Sequence, residues 1–465
     1  MVGSNAMYIA DTIVAAATPP GKGAVAIIRL SGPRALAIAH ALWHPLSPSG
    51  LRARELRLGE IRDPIGETLI DRAMCVTMPA PHSLTGEDVA ELHCHGGVYL
   101  VRRVLALALD LGARMAEPGE FSRRAYLNGR LGLTEAEAIA DLVAARSESA
   151  LRQALRQMHG ALAVRVDRMR EQVIAIRAHL EAAIDFSDED LKLPSGNEIA
   201  DQIGRLLEDL APLHDSFVRG RLNREGARAA IIGKPNAGKS SILNLLLGAE
   251  RAIVTPIAGT TRDVIEDSVN LGPYTLVLLD TAGMRESTDQ IERLGIERAR
   301  ESSRAADLLI AVFDSSRPFE TDDAEVIGLC RGRPGLALLN KCDLAPRLDA
   351  RELRALGLDL PLMGFCAIDS SGIGALRDRL AAMLDELAGP SGGEEIAISR
   401  ERHRAALAAA SAALERARAA ARGGLPPELV AVDVMIASNA LGAITGAVGT
   451  EDILDAVFRE FCIGK

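Results

Sequence analysis

Aromatic side chains are scarce: Phe, Tyr and Trp together make up 3% of the 465 residues, and Trp43 is the single tryptophan. Flat platforms for stacking single-stranded bases are therefore few. An excess of positive charge is also missing, because 53 Lys and Arg stand against 63 Asp and Glu, for a net charge of −10. A protein that gripped RNA mainly by neutralising phosphates would be basic, so any RNA contact must be local. Arg102 with Arg103, Arg123 with Arg124, and the run from Arg219 to Arg228 are the basic patches on offer, each readable as a solvated helix face. Cysteines are few and scattered, at positions 75, 94, 330, 342, 366 and 462, with no disulfide-framework spacing. This fits reduced thiols and a cytoplasmic protein. No apolar run reaches membrane-spanning length, so no membrane is expected. The opening MVGSNA lacks the charged-then-apolar character of a targeting signal and reads as a remnant ahead of Met7.

What the chain does contain is a set of nucleotide-binding segments in a fixed order. GKPNAGKS at Gly233 to Ser240 is a phosphate-binding loop. Gly233 and Gly238 let the backbone curl its amides toward phosphates, Lys239 brings a mobile positive charge, and Ser240 opens the next helix as a magnesium ligand. The strand ARAAII precedes the loop and the helix SSILNLLLG follows it. DTAG at Asp280 to Gly283 ends the apolar run YTLVLLD, so Asp280 can hold a magnesium-bound water and the Gly283 amide can reach the γ-phosphate. In NKCD, Asn340 to Asp343, the Asp343 carboxylate can accept two hydrogen bonds from the guanine edge, which adenine does not offer. Together these segments specify GTP. The nucleotide-contacting set is read as Asn236, Ala237, Gly238, Lys239, Ser240 and Ser241, then Thr255, Thr260 and Thr261 in VTPIAGTTRD. Asp280, Thr281, Ala282 and Gly283 follow, then Asn340, Lys341 and Asp343. CAIDSSG contributes Cys366 and Ala367, with cysteine where serine is usual.

The residue after DTAG is Met284, not the glutamine that Ras-type enzymes use to orient water. Hydrolysis must be organised differently, and Glu286, Asp289 and Glu292 are carboxylates able to reach the water. The Asn236 side chain with carbonyls of the Thr255 to Thr260 loop can hold a monovalent cation where other systems place an arginine finger; a tight turn explains Asn236 equally well.

Four stretches organise the chain. Residues 7–125 mix short strands (AVAIIRL, AMCVTM) with helical segments, an α/β module. Residues 126–222 carry Ala, Leu, Arg and Glu at helical spacing, as in EAEAIADLVAARSESALRQALRQM. Residues 223–388 hold the nucleotide segments, and 389–465, after GPSGG, are helical again. The expected architecture is α/β and α multidomain: an N-terminal α/β module and a long-helix domain with an inserted Ras-like P-loop domain. His93, Cys94 and His95 in ELHCHGG look like metal ligands, but in a strand only the two histidines share a side and no distant Cys or His pair completes a set.

GKPNAGKSS, AGTTRD, DTAG, NKCD and the terminal FCIGK, together with ATPPGKGAVAIIRLSG and PGEFSRRAYLNGRLGL, make the chain resemble the MnmE (TrmE) family of bacterial tRNA modification GTPases from about Ala10 to Lys465. The resemblance implies GTP hydrolysis coupled to aminomethyl or carboxymethylaminomethyl addition at carbon 5 of a wobble uridine in tRNA. The partner would be a FAD-containing MnmG-type protein in a heterotetramer, and the one-carbon donor 5-formyltetrahydrofolate or a related folate. It implies a folate pocket in the N-terminal module, made by Arg29, Glu87, Arg130 (where lysine is common) and Lys465. Asn236, Thr255, Ile257 and Thr260 would hold potassium, Ser240 and Thr261 magnesium, and Glu292 would orient water. A homodimer through the N-terminal module is implied as well. Cys462 is marked as a catalytic thiol by the resemblance, while its place beside Phe458 and Phe461 suits a packed small hydrophobe equally. The other class of function that fits the GTP segments is an RNA-binding assembly switch of the Era type, which should carry an added RNA-binding module and no folate pocket.

Overall fold

A computed structural model describes residues 11–47, 52–186, 192–249, 267–279, 300–368, 372–389, 396–448, 451–459, 461 and 464. The N-terminal sheet contains β1 (Ile13–Ala16), β2 (Gly23–Ser31), β3 (Trp43–Pro45), β4 (Arg57–Arg62), β5 (Leu69–Met78), β6 (Val89–Gly96) and β7 (Arg114–Met115), in the order β3-β4-β5-β6-β2-β1-β7. All pairs are antiparallel except β1 with β7. Alternation along β2 decides the faces. Ala26, Ile28 and Leu30 join the core beneath helices Ala35–Leu42 and Val98–Asp110, which leaves Ile27, Arg29 and Ser31 on the opposite face. Trp43 closes that core and donates its indole N–H to the Ala73 carbonyl at 2.9 Å.

The helical body is built from both sides of the nucleotide-binding unit. Helix Ala161–Asp185 buries Leu162, Val166, Met169, Val173, Ile176 and Leu180, alternating steps of four and three that keep one seam inward. That seam packs with helices Gly196–Asp215, Glu401–Arg422 and Pro427–Thr445 in one core. Ser195 and Glu198 cap helix Gly196–Asp215 reciprocally, Glu198 Oε2 accepting from the Ser195 amide at 2.7 Å. The stretch read from sequence as helically spaced from Glu135 to Met158 forms two helices: helix Leu133–Ala144 ends, and Ser147 caps a new helix, Glu148–Met158, by accepting from the Ala150 amide at 3.2 Å. A second correction concerns apolar length. Helix Pro427–Thr445, with a mean hydropathy of 1.4, is long and apolar enough to cross a membrane by length and composition. Its Val430, Val434, Ala437, Leu441 and Ile444 are instead buried in the helical core. The last described helix, Glu451–Arg459, returns to the N-terminal region, where Phe458 and Phe461 pack with Leu133 and Ala136.

The inserted unit has a six-stranded sheet of β8 (Ala227–Ile232), β9 (Asp267–Leu271), β10 (Tyr274–Leu279), β11 (Leu308–Asp314), β12 (Gly335–Asn340) and β13 (Leu362–Gly364), in the order β13-β12-β11-β8-β10-β9. It is parallel throughout except for β9 against β10. Apolar clusters cover both faces, which is why β11 is buried along its whole length and β8 is apolar but for the exposed Arg228. Ligand-binding loops in such sheets lie beyond the carboxyl ends of the strands, where GKPNAGKS and NKCD fall after β8 and β12.

The basic patches read as solvated faces are largely structural. Arg124 is 4% exposed and pairs with Asp11, Glu87 and Glu120. Arg103 pairs with Asp63, Arg123 with Asp455, and Arg221 with Asp307.

Candidate functional site

The phosphate loop runs from the end of β8 into helix Lys239–Ala249. Its backbone approaches β11 so closely that a Cβ on Gly233 would lie 2.4 Å from the Val312 carbonyl oxygen. Gly238 has φ +102°, and a Cβ there would lie 2.0 Å from Asn340 Nδ2. Asn236 also takes a left-handed backbone, φ 60°, with its side chain exposed. Lys239 Nζ donates to the Gly233 carbonyl at 2.9 Å and the Lys234 carbonyl at 2.8 Å. Burial pushes the Lys239 pKa below the ordinary lysine value. Ser240 and Ser241 are exposed in the first turn of the helix.

Asn340 locks the phosphate loop to the base-recognition loops. Its Nδ2 donates to the Ala237 carbonyl at 2.8 Å, and its Oδ1 accepts from the Ala367 amide at 3.2 Å. Cys366, in the place usual for serine, points its thiol at Asp343 Oδ1, 3.2 Å away, and so helps fix that carboxylate. Lys341 donates to Asp314 Oδ2 at 2.6 Å. Burial works against the Asp314 carboxylate, but the hydrogen bonds from Lys341 and Ser316 outweigh it and hold its pKa below the usual range. Asp314, at the end of β11, was missed by motif reading; the acid closing the run LLIAVFD was its only signal. Lys234 was missed too. It is 5% exposed, with Nζ 2.9 Å from Asp323 Oδ2 and 3.0 Å from Glu320 Oε2. Burial lowers its pKa, and the two carboxylates more than reverse that.

Thr255, Ile257, Thr260, Thr261, Asp280, Thr281, Ala282, Gly283, Met284, Glu286, Asp289 and Glu292 lie outside the described residues, as do Cys462 and Lys465.

A second cluster sits on the N-terminal sheet face opposite the helix-covered core. Arg29 donates from Nε to Glu91 Oε1 at 2.8 Å and from Nη1 to the Gly464 carbonyl at 3.3 Å, with its guanidinium carbon 5.7 Å from the Phe121 ring centre. Glu87 Oε2 accepts from Ser31 Oγ at 2.7 Å and from Arg124 Nη1 at 3.2 Å. Arg130 is exposed and passes over Gly86, next to Glu87. The structure therefore brings Arg29, Glu87, Arg130 and the penultimate residue of the chain to one region, and adds Glu91, Phe121 and Ser31, which sequence reasoning did not name, and Arg124, which it read only as part of a basic patch. The paired histidines are each engaged with a carboxylate of their own: His93 Nε2 lies 3.1 Å from Glu91 Oε2, and His95 Nδ1 lies 2.8 Å from Asp71 Oδ1. Cys94 points into the core, where burial pushes its thiol up to about 11.

Two family models match the chain. One, described as the MnmE helical domain, covers residues 133–462, and the other, the GTP-binding protein TrmE N-terminus, covers residues 12–130. A tRNA modification GTPase MnmE of Heliobacterium modesticaldum is 42% identical over 465 residues, 98% of this chain and 100% of that protein. One from Chloroflexus aurantiacus is 43% identical over 458 residues, 98% of this chain and 100% of its own length. One from Natranaerobius thermophilus is 38% identical over 461 residues, 98% and 99% of the two chains.

Proposed function

The chain belongs to the MnmE family of tRNA modification GTPases, and from that premise we propose how its residues divide the work. The observation that carries the reading is the bond from Asn340 to Ala237, which ties the phosphate loop to the guanine-reading loop in one rigid pocket. In that pocket Lys239 trades its two carbonyl partners for phosphate oxygens, the amides of Ala237 to Ser241 face the phosphates, and Asp343 reads the base.

Ser240 and Thr261 would hold magnesium, which screens phosphate charge as the terminal bond breaks. Asn236, Thr255, Ile257 and Thr260 would hold potassium, which supplies the positive charge an arginine finger gives elsewhere. The exposed side chain of Asn236 suits a ligand offered to an ion at the pocket rim. Glu292 orients the attacking water in place of the missing glutamine, and two nucleotide-binding units pair face to face when potassium is bound.

On the N-terminal sheet, Arg29, Glu87, Arg130 and Lys465 would bind 5-formyltetrahydrofolate or a related folate. A guanidinium fixed by Glu91 and lying near the Phe121 ring suits a flat, polar heterocycle with anionic tails. The folate supplies the carbon unit added at carbon 5 of the wobble uridine, with a FAD-containing MnmG-type partner and with Cys462 acting on the uridine ring. The N-terminal module also joins two copies, in the cytoplasm.

Calorimetric titration with 5-formyltetrahydrofolate separates this reading from an assembly switch. Saturable binding is expected in the wild-type protein, falling by about 100-fold in Arg29→Ala, where a charged hydrogen-bonding partner is removed. No binding by the wild-type protein would favour the switch.

A further inference from the structure

The phosphate loop is tethered by a residue pair that no nucleotide motif contains. Lys234 is the second residue of GKPNAGKS, and its carbonyl accepts from the Ala237 amide at 3.3 Å and from Lys239 Nζ at 2.8 Å. Whatever fixes Lys234 therefore fixes the platform from which Lys239 works. Its ammonium is buried and meets Asp323 Oδ2 at 2.9 Å and Glu320 Oε2 at 3.0 Å. Asp323 is fully buried, and the same Oδ2 accepts from the Glu320 amide at 3.0 Å, capping helix Thr321–Cys330. A chain of contacts thus runs from a helix cap, through one carboxylate and one ammonium, to the loop carbonyl that holds Lys239.

We propose that Asp323 is a positioning residue for GTP binding, acting through Lys234 to keep the phosphate loop in its binding shape before nucleotide arrives. A loop already in shape loses little conformational freedom on binding. Without Asp323, Lys234 is left with only the half-exposed Glu320 carboxylate and moves toward water, and the carbonyl platform goes with it. Asp323 and Lys234 Nζ make no contact of their own with the nucleotide in this proposal, so loss of the tether should change affinity and not the chemical step. Glu320, half exposed, contributes less.

The test measures GTP turnover and fluorescent GTP and GDP binding in the full chain. Asp323→Asn should raise KM for GTP and Kd for both nucleotides by about tenfold, the loss of one charged hydrogen bond, while kcat changes by less than about twofold. Glu320→Gln should change KM by no more than about twofold. The double variant K234M/D323L leaves no buried charge unpaired and keeps the test open if D323N does not fold. Thermal stability should return in part, because an apolar pair replaces the ion pair while the cap on the Glu320 amide is still lost, but nucleotide affinity should stay weakened. An unchanged KM in D323N, or affinity that returns with stability in the double variant, would overturn the assignment and leave the pair as packing alone.

Discussion

Gly238→Ala should weaken GTP binding by about 100-fold or more, from strained backbone plus a broken inter-loop bond. Two independent features of the site produce this. The backbone at Gly238 has φ +102°, which side-chain-bearing residues rarely adopt, and the added methyl would stand 2.0 Å from Asn340 Nδ2. Relief requires Asn340 to withdraw, which breaks its 2.8 Å bond to the Ala237 carbonyl and loosens Ala367 from Asn340 Oδ1. Phosphate and base recognition are therefore damaged together, and discrimination between GTP and ATP should shrink along with affinity. Gly248, in the helix that follows the loop, is the matched control: a Cβ there meets nothing within 4 Å. Gly248→Ala should bind GTP normally and gain up to about 1 kcal/mol of helix stability. Equilibrium titration with fluorescent GTP, and its competition by ATP, reads both variants.

Glu137→Ala should destabilise the helical body by roughly 3–5 kcal/mol, the usual cost of removing one member of a buried ion network. Glu137 is 1% exposed and accepts from Arg402 Nε at 2.5 Å and Arg402 Nη2 at 2.7 Å, with His403 Nε2 3.0 Å away. Arg400, just beyond the nucleotide-binding unit, lies 3.6 Å from Glu137 and 2.7 Å from Asp141. Arg224, just before that unit, lies 3.8 Å from Asp141. The two carboxylates of helix Leu133–Ala144 thus gather both connections to the inserted unit, and the alanine variant takes from Arg402 its carboxylate, leaving only the Ala443 and Ile444 carbonyls. Burial alone would raise the Glu137 pKa, but His403 and Arg402 outweigh it and hold it below the usual carboxylate value. A folded pKa below the unfolded one gives stability that is fully present above about pH 4.3 and is lost as pH falls through the folded value. Wild type and variant should accordingly differ most near neutrality and converge in acid. Circular dichroism follows the helical body, whereas Trp43, buried in the N-terminal sheet, reports that sheet alone. In Glu137→Ala the helical transition should move to lower urea while the Trp43 transition moves less.

The nucleotide segments were legible because each performs a chemical task that admits few residues, and the strand ARAAII ahead of the phosphate loop supplied the context they need. The tethers of the loop were not legible. Lys234 and Asp323 are 89 positions apart, and nothing in either neighbourhood signals the other. Arg29 and Glu91 meet only because β2 and β6 pair in that register. Arg124 looked like half of a surface patch because its partners Asp11, Glu87 and Glu120 come from separate segments. The break after Ala144 was hidden by uniform helical composition, although Ser147 followed by Glu148 is a start signal that local reading can use. Helix Pro427–Thr445 shows the converse, since composition alone cannot tell a membrane span from a helix that closes a soluble core.

The role given to potassium is tested most directly by GTP turnover per molecule, measured over a wide range of protein concentration in potassium and in sodium at equal ionic strength. Turnover in potassium should exceed that in sodium and climb with concentration as nucleotide-binding units pair, and Asn236→Ala should collapse to the sodium rate. Equal turnover in both salts, unaltered by dilution and by the Asn236 substitution, would contradict hydrolysis switched on by a shared monovalent ion.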